Sequence, residues 1–190
     1  MRRRVILVLS IIHIMSGLLF SQSNAKNVLI VYSSFSGSTK EIVDSMKAYI
    51  SNNLTIVDAF PAMKEKKELS KYDLIIIGSA IRGNAPHPQI LEFIDVNRVE
   101  LNSKKIAVFA VCGTITSTKR KKRENALTYP DKVSHGLNVY KKEVFAGNMP
   151  SSGKKSDDFM AKLFLGIVTG DFRDWAKIKE WSSEIIRETK

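Results

Sequence analysis

Ser33-Ser34-Phe35-Ser36-Gly37-Ser38-Thr39 gathers five hydroxyl residues around one glycine. Hydroxyls and backbone amides at the start of a helix make a neutral anion site. The N–H groups and the helix dipole favour negative charge, and Ser or Thr side chains complete a phosphate's hydrogen bonds. A ligand-free reading stands beside this one. Ser38 and Glu41 have the spacing of a capping box, in which the serine hydroxyl closes the first helical turn. Capping accounts for one hydroxyl and leaves Ser33, Ser34, Ser36 and Thr39 unexplained, so phosphate binding accounts for more of the loop.

Missing residues narrow the phosphate. A nucleoside-triphosphate loop needs Gly-Lys-Ser/Thr, whereas Gly37 is followed here by Ser38 and Thr39. The dinucleotide fingerprint needs three glycines for close approach to a pyrophosphate, and this loop has Gly37 alone. A terminal monophosphate held by neutral donors remains.

The flanking elements must carry this loop. Residues 28–31, 74–77 and 106–111 are short apolar runs rich in Val and Ile, the pattern of strands buried on both faces. Ile42, Val43, Met46, Tyr49 and Ile50 recur at helical spacing after the loop. Residues 55–60 read as a strand ended by Pro61, residues 144–146 as a fifth strand before Gly147, and residues 90–94 as part of a helix following Pro88. A last helix carries Trp175, Ile178, Trp181, Ile185 and Ile186 on one side, its tryptophans read as core-covering, with Asp171 and Asp174 near its start. Alternating strands and helices predict a parallel sheet covered on both faces.

Ile30, Val31, Tyr32, Ser34, Gly37 and Thr39 occupy in order the places of the flavodoxin signature, and the chain resembles that family from Asn27 onward. Val43 and Met46 stand where the family pattern has Ala and an aliphatic residue, a departure that touches packing and not phosphate contact. Tyr72-Asp73-Leu74-Ile75-Ile76-Ile77-Gly78-Ser79-Ala80-Ile81-Arg82 is most similar to the menaquinone-dependent protoporphyrinogen dehydrogenase branch. So is Phe145-Ala146-Gly147, followed by an apolar insert and Asp174-Trp175.

The resemblance implies an α/β, flavodoxin-like three-layer sandwich with a five-stranded parallel sheet in the order 2-1-3-4-5, formed by residues 26–190. It implies FMN as cofactor, outside the carboxyl ends of the strands where their order reverses. The phosphate would lie on Ser33, Ser34, Phe35, Ser36, Gly37, Ser38 and Thr39. The isoalloxazine would lie between two loops. One is Ser79, Ala80, Ile81, Arg82, Gly83 and Asn84; the other is Cys112, Gly113, Thr114 and Ile115, with Thr114 or Thr116 at its edge.

Neither flavin loop contains Trp or Tyr, which implies an open ring face suited to a bulky organic substrate or a quinone. An FMN-dependent oxidoreductase with no protein nucleophile is therefore the first expectation. A pure electron carrier is second, and a flavodoxin-like binding module without FMN third. Arg82 has two open readings, offsetting charge on reduced flavin or anionic substrate, or standing as a plain surface arginine. His87, between Pro86 and Pro88, reads as an exposed turn residue and not as a proton relay.

Across its 190 residues the chain carries 30 Lys and Arg against 19 Asp and Glu, a net charge of +11 that favours anionic partners. The basic run from Lys119 to Arg123 is read first as a solvated loop and second as a contact for an anionic membrane surface; nucleic acid is not expected. Arg2, Arg3 and Arg4 precede an apolar stretch and then the small residues Ser23 and Ala25, the layout of a signal peptide or an N-terminal anchor in residues 1–25. An exported or membrane-anchored domain follows. Cys112, the single cysteine, excludes an intrachain disulfide and reads as a buried thiol. It and three histidines have no zinc-ligand spacing. In residues 159–168 only Lys162 and Gly166 are not apolar, and the segment either dips into a membrane interface or covers the sheet.

Overall fold

Among the described residues five strands form the main path of the sheet: β1 (Lys26–Ser33), β2 (Thr55–Pro61), β3 (Leu74–Arg82), β4 (Lys105–Val111) and β5 (Lys141–Phe145). They run parallel in the order β2-β1-β3-β4-β5, with Val28 opposite both Val57 and Leu74. This is the expected 2-1-3-4-5 order. The computed structural model describes residues 26–51, 55–63, 67–151, 153–166 and 168–188, so the leader-like segment 1–25 lies outside the described residues.

The α-helices among the described residues are, in chain order, α1 (Ser38–Ile50), α2 (Pro88–Leu101), α3 (Arg120–Ala126), α4 (Tyr129–Ser134), α5 (Lys155–Met160) and α6 (Trp175–Arg187). Side chains alternate along a strand, and β1 shows the result directly. Val28, Ile30 and Tyr32 pack with Ile42, Val43 and Met46 of α1 and with Ile178, Trp181 and Ile185 of α6. Leu29 and Val31 face the opposite core, built with Ile90, Phe93 and Ile94 of α2 and Tyr129 and Val133 of α4. A strand with two buried faces is apolar at every position, which is why these runs read as continuous and not alternating.

The ends of the helices follow from local chemistry. Asp174 accepts the Lys177 N–H at 2.9 Å and caps α6. Pro88 occupies the first turn of α2, where a missing N–H costs nothing. Pro61 ends β2, an edge strand that tolerates the lost donor.

Two sequence expectations are corrected. The basic run forms a helix from Arg120 onward, where a loop was expected. Trp181 is buried at 3% exposure, but Trp175 is 37% exposed and lies under the Arg173 guanidinium, 4.7 Å from its carbon, so only one of the two tryptophans covers the core.

Gly78, in the middle of β3, lets an aromatic cluster close the sheet against α6. Phe109 packs against Phe145 and Trp181 with ring centroids 5.8 and 6.0 Å away. A Cβ on Gly78 would stand 2.1 Å from the Phe109 ring. Gly78→Ala is therefore expected to destabilise the domain by about 1–3 kcal/mol through overpacking. Urea unfolding checks this, and an unchanged midpoint would contradict it.

Candidate functional site

Strand order reverses between β1 and β3, so the connections leaving these neighbours diverge to opposite sides and open a crevice at their carboxyl ends. The serine-rich loop occupies that crevice. Ser34 Oγ accepts the Gly37 N–H at 3.0 Å, folding the loop back on itself. Gly37 adopts φ 92°, a left-handed conformation costly for residues with a Cβ, and is the N-cap of α1.

The capping-box reading is thereby corrected: Ser38 is the first helical residue, and no side chain caps this helix among the described residues. Its Oγ instead accepts the Asn148 N–H at 2.8 Å and keeps its own hydrogen to donate. The first intrahelical bond runs from Glu41 N–H to Gly37 O, so the N–H groups of Ser38, Thr39 and Lys40 have no carbonyl behind them. Ser34, Phe35, Ser36, Ser38 and Thr39 line the cleft around this helix end. Ser33 lies where the loop leaves β1, its buried Oγ without a hydrogen-bond partner among the described residues.

A second wall comes from β3. Residues 82–85 turn tightly, with positive φ at both Gly83 and Asn84, and Ala85–Pro86 pairs antiparallel with the strand end. Tyr129, fully buried, donates its hydroxyl to Asn84 Oδ1 at 2.5 Å, and Lys132 Nζ donates to Asn84 O at 2.9 Å. This holds the hairpin against α4. The guanidinium of Arg82 lies over the Phe35 ring at 4.1 Å, and the Phe35 and His87 rings are 4.3 Å apart.

His87 is half-buried and caps α2, its Nδ1 accepting the Gln89 N–H at 3.3 Å, which corrects its reading as an exposed turn residue. Burial first, and the Arg82 charge second, hold its imidazole below the ordinary value of 6.5.

The third wall is Val111 at the end of β4 with Cys112 and Gly113 after it, and Gly147, Asn148 and Met149 after β5. Burial pushes the Cys112 thiol up to about 11, despite backbone N–H groups of Ile115 and Thr114 that favour the thiolate. It is an unreactive wall residue at neutral pH. Arg173 ties this side to the loop. It contacts Asp171 at 2.6 Å and also pairs with Glu41 of α1, which together hold its guanidinium above the usual arginine range.

Of the residues named from sequence, the cleft gathers Ser34, Phe35, Ser36, Ser38, Thr39, Ala80, Ile81, Arg82, Cys112 and Gly113. Ser33, Gly37, Ser79, Gly83, Thr114 and Ile115 are not in its wall. Ser79 is fully buried, its hydroxyl accepting the His87 N–H and donating to Ala80 O. Thr114 and Ile115 belong to a single 3₁₀ turn beyond Gly113. Val111, Gly147, Asn148 and Met149 were missed as wall residues, because their only signal is their place at the carboxyl ends of β4 and β5.

A doubly wound sheet with a neutral anion loop at its switch point defines an α/β domain for a phosphate-bearing ligand. The flavodoxin domain family model matches residues 29–153, and the chain belongs to that family. Among solved structures it is similar to flavodoxin 2 of Bacillus cereus, at 20% identity and TM-score 0.56, covering 85% of this chain and 99% of that one. A flavodoxin of Fusobacterium nucleatum bound to flavin mononucleotide matches at 14% identity and TM-score 0.51, covering 87% and 99%. Rubredoxin oxygen:oxidoreductase of Desulfovibrio gigas matches at 14% identity and TM-score 0.56 over 87% of this chain, which spans 37% of that longer protein. No curated protein matches.

The burial of His87, with the Arg82 charge second, makes stability pH-dependent. The unfolded chain protonates His87 near 6.5 and the folded chain only at lower pH, so stability is full above 6.5 and is lost as pH falls towards the folded value. His87→Asn, which keeps a capping side chain, is expected to flatten that part of the stability profile. Urea midpoints between pH 7 and pH 5 check this, and an unaltered slope would contradict it.

Proposed function

We propose that this domain binds FMN and uses it to pass electrons between a reduced organic donor and an acceptor such as a quinone. One observation carries the reading. The amides of Ser38, Thr39 and Lys40 begin a helix without helical acceptors, beside the hydroxyls of Ser34, Ser36 and Thr39, at the point where strand order reverses. The donors are neutral, and the nearest lysine is engaged, since Lys40 Nζ bonds Asp44 at 2.7 Å. Such a set suits one terminal phosphate ester and lacks the lysine that a triphosphate requires. The residues present fit the phosphate of FMN.

Bound FMN supplies the redox chemistry, and the protein supplies binding, orientation and electrostatics. Arg82, seated over Phe35, fixes a positive charge at the cleft rim that favours an electron-rich occupant. Cys112, with its raised pKa, stays a thiol and does not compete as a nucleophile.

The finer assignment, an oxidoreductase of the protoporphyrinogen dehydrogenase type with a quinone acceptor, is supported by the sequence likeness over residues 72–82 and 145–147. A cleft wall without Trp or Tyr is consistent with it, since an uncovered ring would admit a bulky substrate. The second reading, a carrier without an organic substrate, is favoured by likeness to solved flavodoxins over most of the chain. The basic segment and apolar stretch within residues 1–25 support export or anchoring of this domain.

The test uses the chain from Lys26 to Lys190, with FMN added and excess removed. Retained flavin absorbance, reduction by a chemical donor and reoxidation by a soluble quinone are expected. The Ser34→Ala, Thr39→Val pair should bind FMN roughly a hundredfold more weakly, as two hydrogen bonds to a charged group are lost. Flavin that reoxidises only through a protein acceptor would select the carrier. Failure to retain FMN would overturn both redox readings and leave a binding module.

A further inference from the structure

In the apolar segment, Phe159, Met160, Leu163 and Phe164 do not cover the sheet. The helices named above fill both faces, while Phe159, Met160, Leu163 and Phe164 stand 62%, 47%, 52% and 60% exposed on α5 and the π turn after it. Four large apolar side chains grouped in solvent mark an interaction surface, since soluble domains rarely leave such a patch uncovered.

Its neighbour says what covers it. Lys119 Nζ donates to Leu163 O at 2.7 Å and to Phe164 O at 3.1 Å, and the Thr118 N–H donates to Gly166 O at 3.1 Å. These bonds reach across at least 44 residues of sequence and seat the apolar turn beside the start of α3. There Arg120, Lys121, Lys122 and Arg123 follow in succession, with Glu124 the only acid in the helix. Lys155, at the start of α5, and Lys162, within the apolar segment, add charge.

We propose that this segment and α3 together form a docking surface for an anionic phospholipid bilayer, independently of what the cleft binds. Apolar side chains would enter the acyl boundary while the adjoining cations meet lipid phosphates. Among the described residues no helix is long and apolar enough to cross a membrane, so the contact is with the surface of the bilayer. Docking also orients the cleft. Asn148–Met149 pairs with Gly170–Asp171 at the base of the segment, and Asn148 and Met149 line the cleft wall, so its mouth is held near the lipid.

Both cores are built from residues between Val28 and Ile185, so a chain starting at Lys26 retains the folded unit and removes the apolar residues 5–20 from the experiment. Flotation is measured with vesicles of phosphatidylglycerol and phosphatidylcholine in equal parts, and with phosphatidylcholine alone. Binding to the anionic vesicles is expected, weakened by added salt. Phe159→Ser with Phe164→Ser should weaken it roughly tenfold or more. Lys121→Glu with Lys122→Glu should weaken it by at least about fivefold per lysine. Circular dichroism confirms that each variant is folded, and the salt dependence needs no variant.

Binding to neither vesicle would overturn the proposal. So would equal binding to both that the substitutions leave unchanged. Concentration-dependent self-association, abolished by the Phe159 and Phe164 pair and unaccompanied by vesicle binding, would assign the patch to a second copy of the chain instead.

Discussion

A helix cannot satisfy its own first N–H groups, and in this domain the unsatisfied end of α1 lies at the one place where the sheet parts its connections. Gly37, in a left-handed conformation, starts the helix with no capping side chain among the described residues. The amides of Ser38, Thr39 and Lys40 are thereby left to the cleft. The loop's own Ser34 and two other segments fix this turn: Ser34 holds Gly37, Asn148 holds Ser38, and Arg173 holds Glu41. The loop is thus held by the protein's own groups, which lowers the ordering cost of binding.

The rim depends on the same economy of contacts. Arg82 can stand over Phe35 because the hairpin that carries it is clamped through Asn84 to the buried Tyr129. Phe35 in turn lies against His87, whose imidazole both caps α2 and closes that side of the loop. Protonating this histidine would remove the α2 cap and add a like charge beside Arg82 at once. Core packing below and electrostatics above meet at these few residues.

The strands were legible because a strand buried on both faces has no polar alternation, as in the runs 74–77 and 106–111. The anion loop was legible because its hydroxyls are contiguous in sequence. What escaped was set by distance along the chain. Nothing near Ser38 signals that its hydroxyl belongs to Asn148, 110 residues away, so a local cap was the simplest reading. The same holds for Trp175, drawn to the surface under Arg173, and for the basic run, where Thr118 and Lys119, just before the helix, bond to residues 163–166.

The central claim is that the first turn of α1 recognises a phosphate. Equilibrium titration of the chain from Lys26 to Lys190 with FMN and with riboflavin, which differ only in that group, tests it most directly. The account predicts FMN binding at least about a hundredfold tighter than riboflavin, as expected for several hydrogen bonds to a charged group. Equal affinity for the two, or affinity for neither, would contradict it.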